Sequence, residues 1–436
     1  MRLGWYGDDF TGATDTLAVA AQAGLRCALF LDIPEPRQMI RMGGLDALGI
    51  AGSARTMSPQ AMRQELPRIG AFFKTLQVSV LHYKCCSTFD SSPKIGSIGA
   101  ALSILDAYVD RDTAYVVGGQ PDIGRYCCFS NLFAAAGAGG KVCRLDRHPT
   151  MTQHPVTPMG EADLRLHLGQ QWAAPIEAVH YPSYGLPEDE FDGQVDATLQ
   201  DLKGAGPAAV LFDIADRSHL GPLGRQIWRQ ARQGSLLVAG PSSVVQALAA
   251  HWGPGIEPAA PPAGRKDPGA VFVFAGSMSP VTARQVEQAG SYRRLPLGSR
   301  QLISDPSYLA RQIESIAGLL DAGSHVLAYV EAGGPRTPDV CSDDLALVTA
   351  ELVKRVVERQ AAGPRPLLRL GVAGGDTSSR AAKALDIWAL SFVRVLSPGV
   401  ALCRAHSDDP VLNGMELMLK GGQMGSADIF EQLLQA

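Results

Sequence analysis

The sequence predicts an α/β protein of two α/β domains, the first built on a doubly wound parallel sheet. Three observations carry this. At 436 residues the chain exceeds the roughly 250–300 residues at which a single hydrophobic core stops growing. Short apolar runs alternate with helix-length segments, the alternation that yields a parallel sheet. Between 251 and 270 the chain carries five prolines, Pro254, Pro258, Pro261, Pro262 and Pro268, which continue neither a helix nor a central strand.

The first element is a βα unit. Residues 1–6 form a short apolar run, 7–12 a polar turn, and 13–23 a helix-forming stretch ended by Gly24. Further strands are expected at 27–31, 45–51, 78–83, 114–117, 208–212 and 235–238. After the Pro-rich stretch the pattern restarts with strands at 271–275, 325–330 and 367–372, each followed by a polar or glycine-rich turn. The expected domains are therefore 1–251 and 270–436, joined by a linker at 252–269. No internal repeat is present.

Composition excludes several classes. The apolar fraction of 46%, the charged fraction of 19% and the 47 glycines fit a globular enzyme with many tight turns. A net charge of −4 supplies no basic field for a nucleic acid. No apolar stretch reaches the about 20 residues a membrane span needs, so no membrane partner is expected. The eight cysteines form no spaced metal or redox pair; Cys85-Cys86 and Cys127-Cys128 are vicinal, which suits reduced, buried thiols. No secretory signal opens the sequence, and a cytoplasmic location is expected.

Ligands of doubly wound sheets sit beyond the carboxyl ends of the strands, so the residues that follow each strand matter most. After the first strand comes Gly7-Asp8-Asp9-Phe10-Thr11-Gly12-Ala13-Thr14-Asp15. One carboxylate is explained as a helix cap; two adjacent ones plus Asp15 point to function. Asp9, with Asp8 second, is the candidate general base for a substrate hydroxyl. Arg55, after the third strand, offers a planar fork for a carboxylate or phosphate. After the next strand, Lys84, Ser87, Thr88, Asp90 and Ser91 cluster in a hydroxyl-rich turn that suits an anionic, polyhydroxylated ligand. The loop 147–159 holds His148 and His154, but no third ligand stands at a metal-like spacing.

In the second half, the strand at 367–372 runs into Gly374-Gly375-Asp376-Thr377-Ser378 and then a helix. Glycines followed by a helix start present backbone N–H groups to phosphate. Gly276-Ser277-Met278-Ser279 and Lys420-Gly421-Gly422-Gln423-Met424-Gly425 repeat the theme. Neither a Walker A loop nor a GxGxxG turn is present. Three such loops in one domain point to a nucleotide.

Asp8-Asp9-Phe10-Thr11-Gly12-Ala13, Lys84-Cys85-Cys86-Ser87-Thr88-Phe89-Asp90-Ser91-Ser92 and His154-Pro155-Val156-Thr157-Pro158-Met159 resemble the four-carbon acid sugar kinase family, and the similarity runs the length of the chain. The resemblance implies an ATP-dependent kinase that phosphorylates a terminal hydroxyl of threonate, erythronate, 3-oxo-tetronate or a related acid. Carried over by position, the acid would meet Asp8, Asp9, Arg55, Lys84, Ser87, Thr88, Asp90 and Ser91. ATP would meet Ser277, Gly374, Gly375, Asp376, Thr377 and Gly422. Mg2+ is expected with the ATP, with Asp376 as its candidate ligand, and the protein is expected to be a homodimer. The sequence departs from the family at Asp376 (usually Glu), Gly421 (Ser), Gln423 (Asn) and Met424 (Phe). Gly119-Gln120-Pro121-Asp122-Ile123-Gly124-Arg125-Tyr126 replaces Cys-Pro-Ala-Phe followed by Asn-Gly-Arg. That segment would line the acid pocket, so a branched or longer keto acid such as 3-oxo-isoapionate enters the candidates.

The expected mechanism is in-line transfer of the γ-phosphoryl group, with Asp9 orienting the acceptor and Arg55 and Lys84 holding the carboxylate. The Pro-rich link would allow closure over the substrates. Two rivals are an NAD-dependent hydroxy-acid oxidoreductase, which needs a GxGxxG turn and an acidic residue about 20 positions later, and a non-catalytic sugar-acid sensor, which needs a spare interaction module.

Overall fold

The computed structural model describes residues 1–136, 140–154, 156–253, 264–265, 267–331 and 342–436, excepting the side chains at 342, 343 and 376. It divides into two compact units, Met1–Ala259 and Ala260–Ala436. Most of the expected linker at 252–269 lies outside the described residues.

In the first unit the strands are β1 (Leu3–Gly7), β2 (Cys27–Phe30), β3 (Ala47–Ala51), β4 (Val80–Lys84), β5 (Thr113–Gly118), β6 (Arg125–Cys128), β7 (Asn131–Ala135), β8 (Val142–Arg144), β9 (Ile176–Val179), β10 (Ala208–Asp213) and β11 (Leu236–Gly240). Eight of them lie side by side in the order β2-β3-β1-β4-β11-β5-β10-β9, and each pairing between neighbours is parallel. Strands covered on both faces read as continuous apolar runs rather than as alternation; β1, β3, β4 and β11 are buried at every position. The chain leaves β1 for β2, returns through β3, then crosses β1 to β4. The winding therefore reverses beside β1, where a doubly wound sheet opens its ligand crevice.

The first helix, Phe10–Gln22, begins three residues before the expected 13, because the Asp9 side chain accepts the Gly12 N–H and caps it. A small antiparallel sheet, β6-β7-β8, which the sequence reading did not expect, lies mostly between the segment 119–126 and the loop 147–159. Its β6–β7 turn places Phe129 and Ser130 at φ 47° and 66°, values that hairpin turns normally give to Asn and Gly. The buried Asp213 carboxylate holds them there, accepting the Phe129 N–H at 2.7 Å and the Ser130 N–H at 3.0 Å. A short 3-10 turn, Leu145–Arg147, leads into the expected loop 147–159, which contains a second, Met151–Gln153.

The second unit contains β12 (Phe272–Ala275), β13 (Arg293–Leu297), β14 (Val326–Val330), β15 (Arg369–Ala373), β16 (Ala389–Ser397), β17 (Val400–His406) and β18 (Glu416–Lys420). Their order is β13-β14-β12-β15-β18-β17-β16. The first five are mutually parallel, whereas β17 runs antiparallel to both neighbours. Val273, Leu327, Leu402, Met418, Phe430 and Leu433 are among its buried core. Beneath that core lies an ion pair with no exposure on either side, Arg369 to Glu416 at 2.6 Å.

Candidate functional site

Parallel pairing puts the ends of β1, β3 and β4 on one edge of the first unit, and the three expected segments meet there. Backbone bonds tie them together: Asp8 N–H donates to the Lys84 carbonyl, Arg55 N–H to the Asp8 carbonyl and Gly52 N–H to the Gly7 carbonyl. Asp8 is fully buried. Its two oxygens accept from Arg55 Nη2 at 2.7 Å and Nε at 3.2 Å, while the same Nη2 reaches Asp9 Oδ1 at 2.8 Å. Asp9 Oδ1 also accepts the Gly12 N–H, and Oδ2 accepts the Thr11 hydroxyl at 2.6 Å. The Asp8 side chain is 2% exposed and the Asp9 side chain 21%. Of the pair, Asp9 is the carboxylate that faces outward.

Environment separates the two acids. Burial raises Asp8 above the usual carboxylate range, Arg55 opposing it and the Asp9 charge adding to it. Burial also acts on Asp9, but Arg55, Lys84 and the Thr11 and Gly12 donors outweigh it and hold Asp9 below the usual range. Asp9 is thus a fixed anion at neutral pH. Lys84 is buried; its Nζ donates to the Cys85 carbonyl at 2.9 Å.

The turn after β4 divides in two. Thr88 donates to Asp90 at 2.7 Å and contacts the Cys86 thiol, and Ser87 and Asp90 are half-buried. Ser91 is buried and fully engaged: it donates to the Phe89 carbonyl, meets His167 Nε2 at 2.8 Å and accepts from Gln171 at 2.9 Å. Its hydroxyl braces the turn against the helix Leu164–Gly169 instead of facing a ligand. Asp15 accepts the Ser242 hydroxyl at 2.5 Å, and Ser242 accepts Gln120 Nε2 at 2.7 Å. This chain of three braces the first helix against the loops after β11 and β5. Gln120 belongs to the segment 119–126 expected to line the acid pocket; Ser242 carried no motif, and only its position after a strand could have found it. His148 accepts from the Thr150 and Met151 N–H groups, and His154 from that of Thr157, which accounts for both histidines structurally.

In the second unit the loops after β12, β15 and β18 converge. Gly276 N–H and Ser277 N–H donate to the Ala373 carbonyl, and Gly374 N–H to the Lys420 carbonyl. Ser279 caps the helix Pro280–Gln288 through the Thr282 N–H and donates to the Gly422 carbonyl, which Thr282 Oγ1 also reaches at 2.8 Å. The approach is too close for side chains: a Cβ at Gly276 would stand 2.3 Å from Thr377 Oγ1, and one at Gly422 2.2 Å from Ser277 Oγ. Gly374, at φ 128°, stands at the start of the helix Gly375–Ala384, where the chain turns in a region other residues avoid. The result is a backbone-lined cradle at a helix start, suited to phosphate. The Asp376 side chain, the expected metal ligand, lies outside the described residues. Among the described residues no group of three His, Cys, Asp or Glu side chains could hold a metal.

Lys420 was quoted only as part of a loop, yet it is fully buried below this cradle, its Nζ donating to the Gly421 carbonyl. Burial pulls its ammonium down from 10.5 to about 7. Between these two values the unfolded chain binds a proton that the folded chain does not, so stability rises with pH. Below about 7 both states hold that proton, and the fold carries the full cost of burying a charge. Lys420→Met is expected to flatten the rise between pH 7 and 10.5 in urea midpoints; an unchanged slope would overturn the assignment.

The comparisons agree with this division. Residues 3–248 match the family described as the sugar-binding N-terminal domain, and residues 272–430 match the nucleotide-binding C-terminal domain. A Paraburkholderia graminis protein named 3-oxo-isoapionate kinase is 39% identical, covering 99% of this chain and 93% of its own. A Methylobacterium radiotolerans 3-oxo-tetronate kinase is 28% identical over 100% of this chain and 99% of its own. Crystal structures of a Haemophilus influenzae protein (24% identical, TM-score 0.73) and a Salmonella typhimurium LT2 protein described as a putative tRNA synthase (22%, 0.79) each cover 99% of this chain and 98% of their own. These two share the fold. No described helix is long and apolar enough to cross a membrane. With a sugar-binding first half, a nucleotide-binding second half and full-length kinase relatives, the chain belongs to the four-carbon acid sugar kinase family.

Proposed function

We propose that the chain is an ATP-dependent kinase acting on a terminal hydroxyl of a small 3-oxo sugar acid, with 3-oxo-isoapionate preferred over 3-oxo-tetronate. The observation that carries the preference is the 39% identity to the 3-oxo-isoapionate kinase over 99% of this chain, against 28% for the 3-oxo-tetronate kinase over 100% of it. The replaced segment 119–126, which includes the brace residue Gln120, supports the same choice.

In this reading the first unit binds the acid and the second the nucleotide. Asp9, ionised and outward-facing, accepts a hydrogen bond from the reacting hydroxyl and aims its oxygen. Because Asp9 is a weak base, it takes the proton late, as the new bond forms. Asp8 and Arg55 position Asp9, since Arg55 Nη2 joins both carboxylates. Lys84 keeps positive charge beside them. The loops at Ser277, Gly374, Gly375, Thr377 and Gly422 cradle the phosphates; since the Ser277 and Gly374 N–H groups are given to carbonyls, the N–H groups that open the helix Gly375–Ala384 are the ones that face them. Mg2+ bound to ATP would neutralise developing charge; such ions keep several waters and need few protein ligands, and Asp376 is the candidate. The homodimer and the cytoplasmic setting belong to the same proposal.

The test is an ATP-consumption assay over 3-oxo-isoapionate, 3-oxo-tetronate, threonate and erythronate. The highest kcat/KM is expected with 3-oxo-isoapionate. A higher value with 3-oxo-tetronate would overturn the substrate assignment, and no acid-dependent turnover would overturn the kinase reading.

A further inference from the structure

A hydrogen-bonded chain runs along the carboxyl edge of the first sheet, from Gln120 Nε2 to Ser242 Oγ at 2.7 Å and from Ser242 Oγ to Asp15 Oδ2 at 2.5 Å. Its polarity is set from one end. A carboxylate only accepts, so Ser242 gives its single proton to Asp15 and is left to accept from Gln120. The Gln120 amide therefore cannot flip: its nitrogen must face Ser242, and its oxygen Oε1 is held at the far end. That oxygen takes no hydrogen bond among the described residues and is not sealed from solvent, although Gln120 as a whole is only 4% exposed. A buried chain thus ends in one aimed, accessible acceptor.

The chain lies beside the acid crevice. β1, β4 and β11 finish level, Gly7 pairing with Lys84 and Lys84 with Gly240, and β5 is the next strand over. On the first helix, which Asp9 caps, Gly12 and Asp15 stand three residues apart and share a face. The Lys84 ammonium lies against Gly12, where a Cβ would stand 2.5 Å from Nζ, and Asp15 holds the chain. Lys84 and the Gln120–Ser242–Asp15 chain therefore border the same face of the helix that Asp9 begins.

The other sides of Gln120 are taken. Its N–H donates to the Arg125 carbonyl. Ser243 Oγ donates to the Gly119 carbonyl at 2.7 Å, and a Cβ on Gly119 would stand 2.3 Å from the Ile214 carbonyl oxygen. What Oε1 can still receive is a donor from within the crevice.

We propose that Gln120 selects the acid: its Oε1 accepts the hydroxyl on the branch of 3-oxo-isoapionate, a group that a straight four-carbon acid lacks, and Ser242 and Asp15 aim it. This rests on the 3-oxo sugar-acid reading above. An amide oxygen receives a neutral hydroxyl without adding negative charge beside an anionic substrate, as a carboxylate there would. A site built to bond a substrate hydroxyl rejects the analogue without it, because the acceptor is then left unpaired.

The test compares kcat/KM for 3-oxo-isoapionate and for 3-oxo-tetronate, at saturating ATP, in the wild-type chain and two variants. Gln120→Leu keeps the bulk and removes the acceptor; the ratio of the two values is expected to fall by about 10- to 100-fold, the worth of one such hydrogen bond. Ser242→Ala leaves the amide in place but free to turn, and the ratio is expected to fall by a smaller factor, through the KM for 3-oxo-isoapionate. A merely structural role would lower both values alike and leave the ratio unmoved, which overturns the proposal. Should Gln120→Leu not fold, an unmoved ratio in Ser242→Ala overturns it there. A wild-type chain that favours 3-oxo-tetronate sinks the substrate reading and Gln120 with it. A wild-type preference for 3-oxo-isoapionate that survives in both variants sinks Gln120 alone.

Discussion

Asp9→Asn is expected to lower turnover by about 10²- to 10⁴-fold, the usual worth of a positioned acid–base group. Asparagine keeps the shape and can still accept the Gly12 N–H that caps the first helix. What it loses is the charge that Arg55 and Lys84 hold in place. The fold should therefore survive while the acceptor hydroxyl loses the anion that aims it. The KM for ATP should stay near the wild-type value, because the glycine cradle belongs to the other unit. Steady-state kinetics with saturating ATP and 3-oxo-isoapionate measure this; turnover within a few-fold of wild type would remove Asp9 from the mechanism. Asp8→Asn should behave differently. Asp8 is buried against Arg55, so its loss is expected to appear in stability as well as in rate.

Glu416→Leu is expected to destabilise the C-terminal unit by about 3–5 kcal/mol, the cost of leaving one partner of a buried ion pair uncompensated. Arg369 is fully buried: its Nε and Nη2 reach Glu416 at 2.8 and 2.6 Å, and it also donates to the backbone oxygens of Leu433, Leu434, Arg265 and Ala436. Glu416 Oε1 in turn accepts the Arg265 N–H. The pair thus ties β15 and β18 to the last helix, Ile429–Gln435, and to the segment that enters the unit. Replacing both residues, Arg369→Met with Glu416→Leu, should recover much of the loss, since apolar substitution of a whole buried pair is often neutral or better. Urea unfolding of the three chains decides; a Glu416→Leu change below about 1 kcal/mol would make the pair an incidental one.

Most of the parallel strands were legible in the sequence because both faces are covered; β9, β13 and β18 were not expected. A fully buried strand such as β4 or β11 has no solvent face to interrupt its apolar run. The hairpins were not legible. At β6–β7 the turn residues are Phe129 and Ser130, which carry no hairpin signal; the conformation is imposed by Asp213, some 80 residues away in sequence. At β16–β17 the local cue existed, since Pro398-Gly399 with Gly399 at φ 75° suits a tight turn, but no strand was expected beyond 372. Motif placement fared better than role. The aspartates, Arg55 and the β4 turn do converge, yet sequence alone assigned Arg55 to the substrate when geometry gives it to the aspartates. A side chain's availability depends on which partners the fold has already supplied, and spacing cannot show that.

The bonds that shape the acid crevice join residues of the first unit to one another, and those that shape the glycine cradle join residues of the second. Asp9 is aimed by Arg55, Thr11 and Gly12; Gly422 is held by Ser279 and Thr282. Each half is formed before its ligand comes, and neither needs the other's ligand to take shape. Substrate addition is then expected to follow no compulsory order, acid first and nucleotide first both being open.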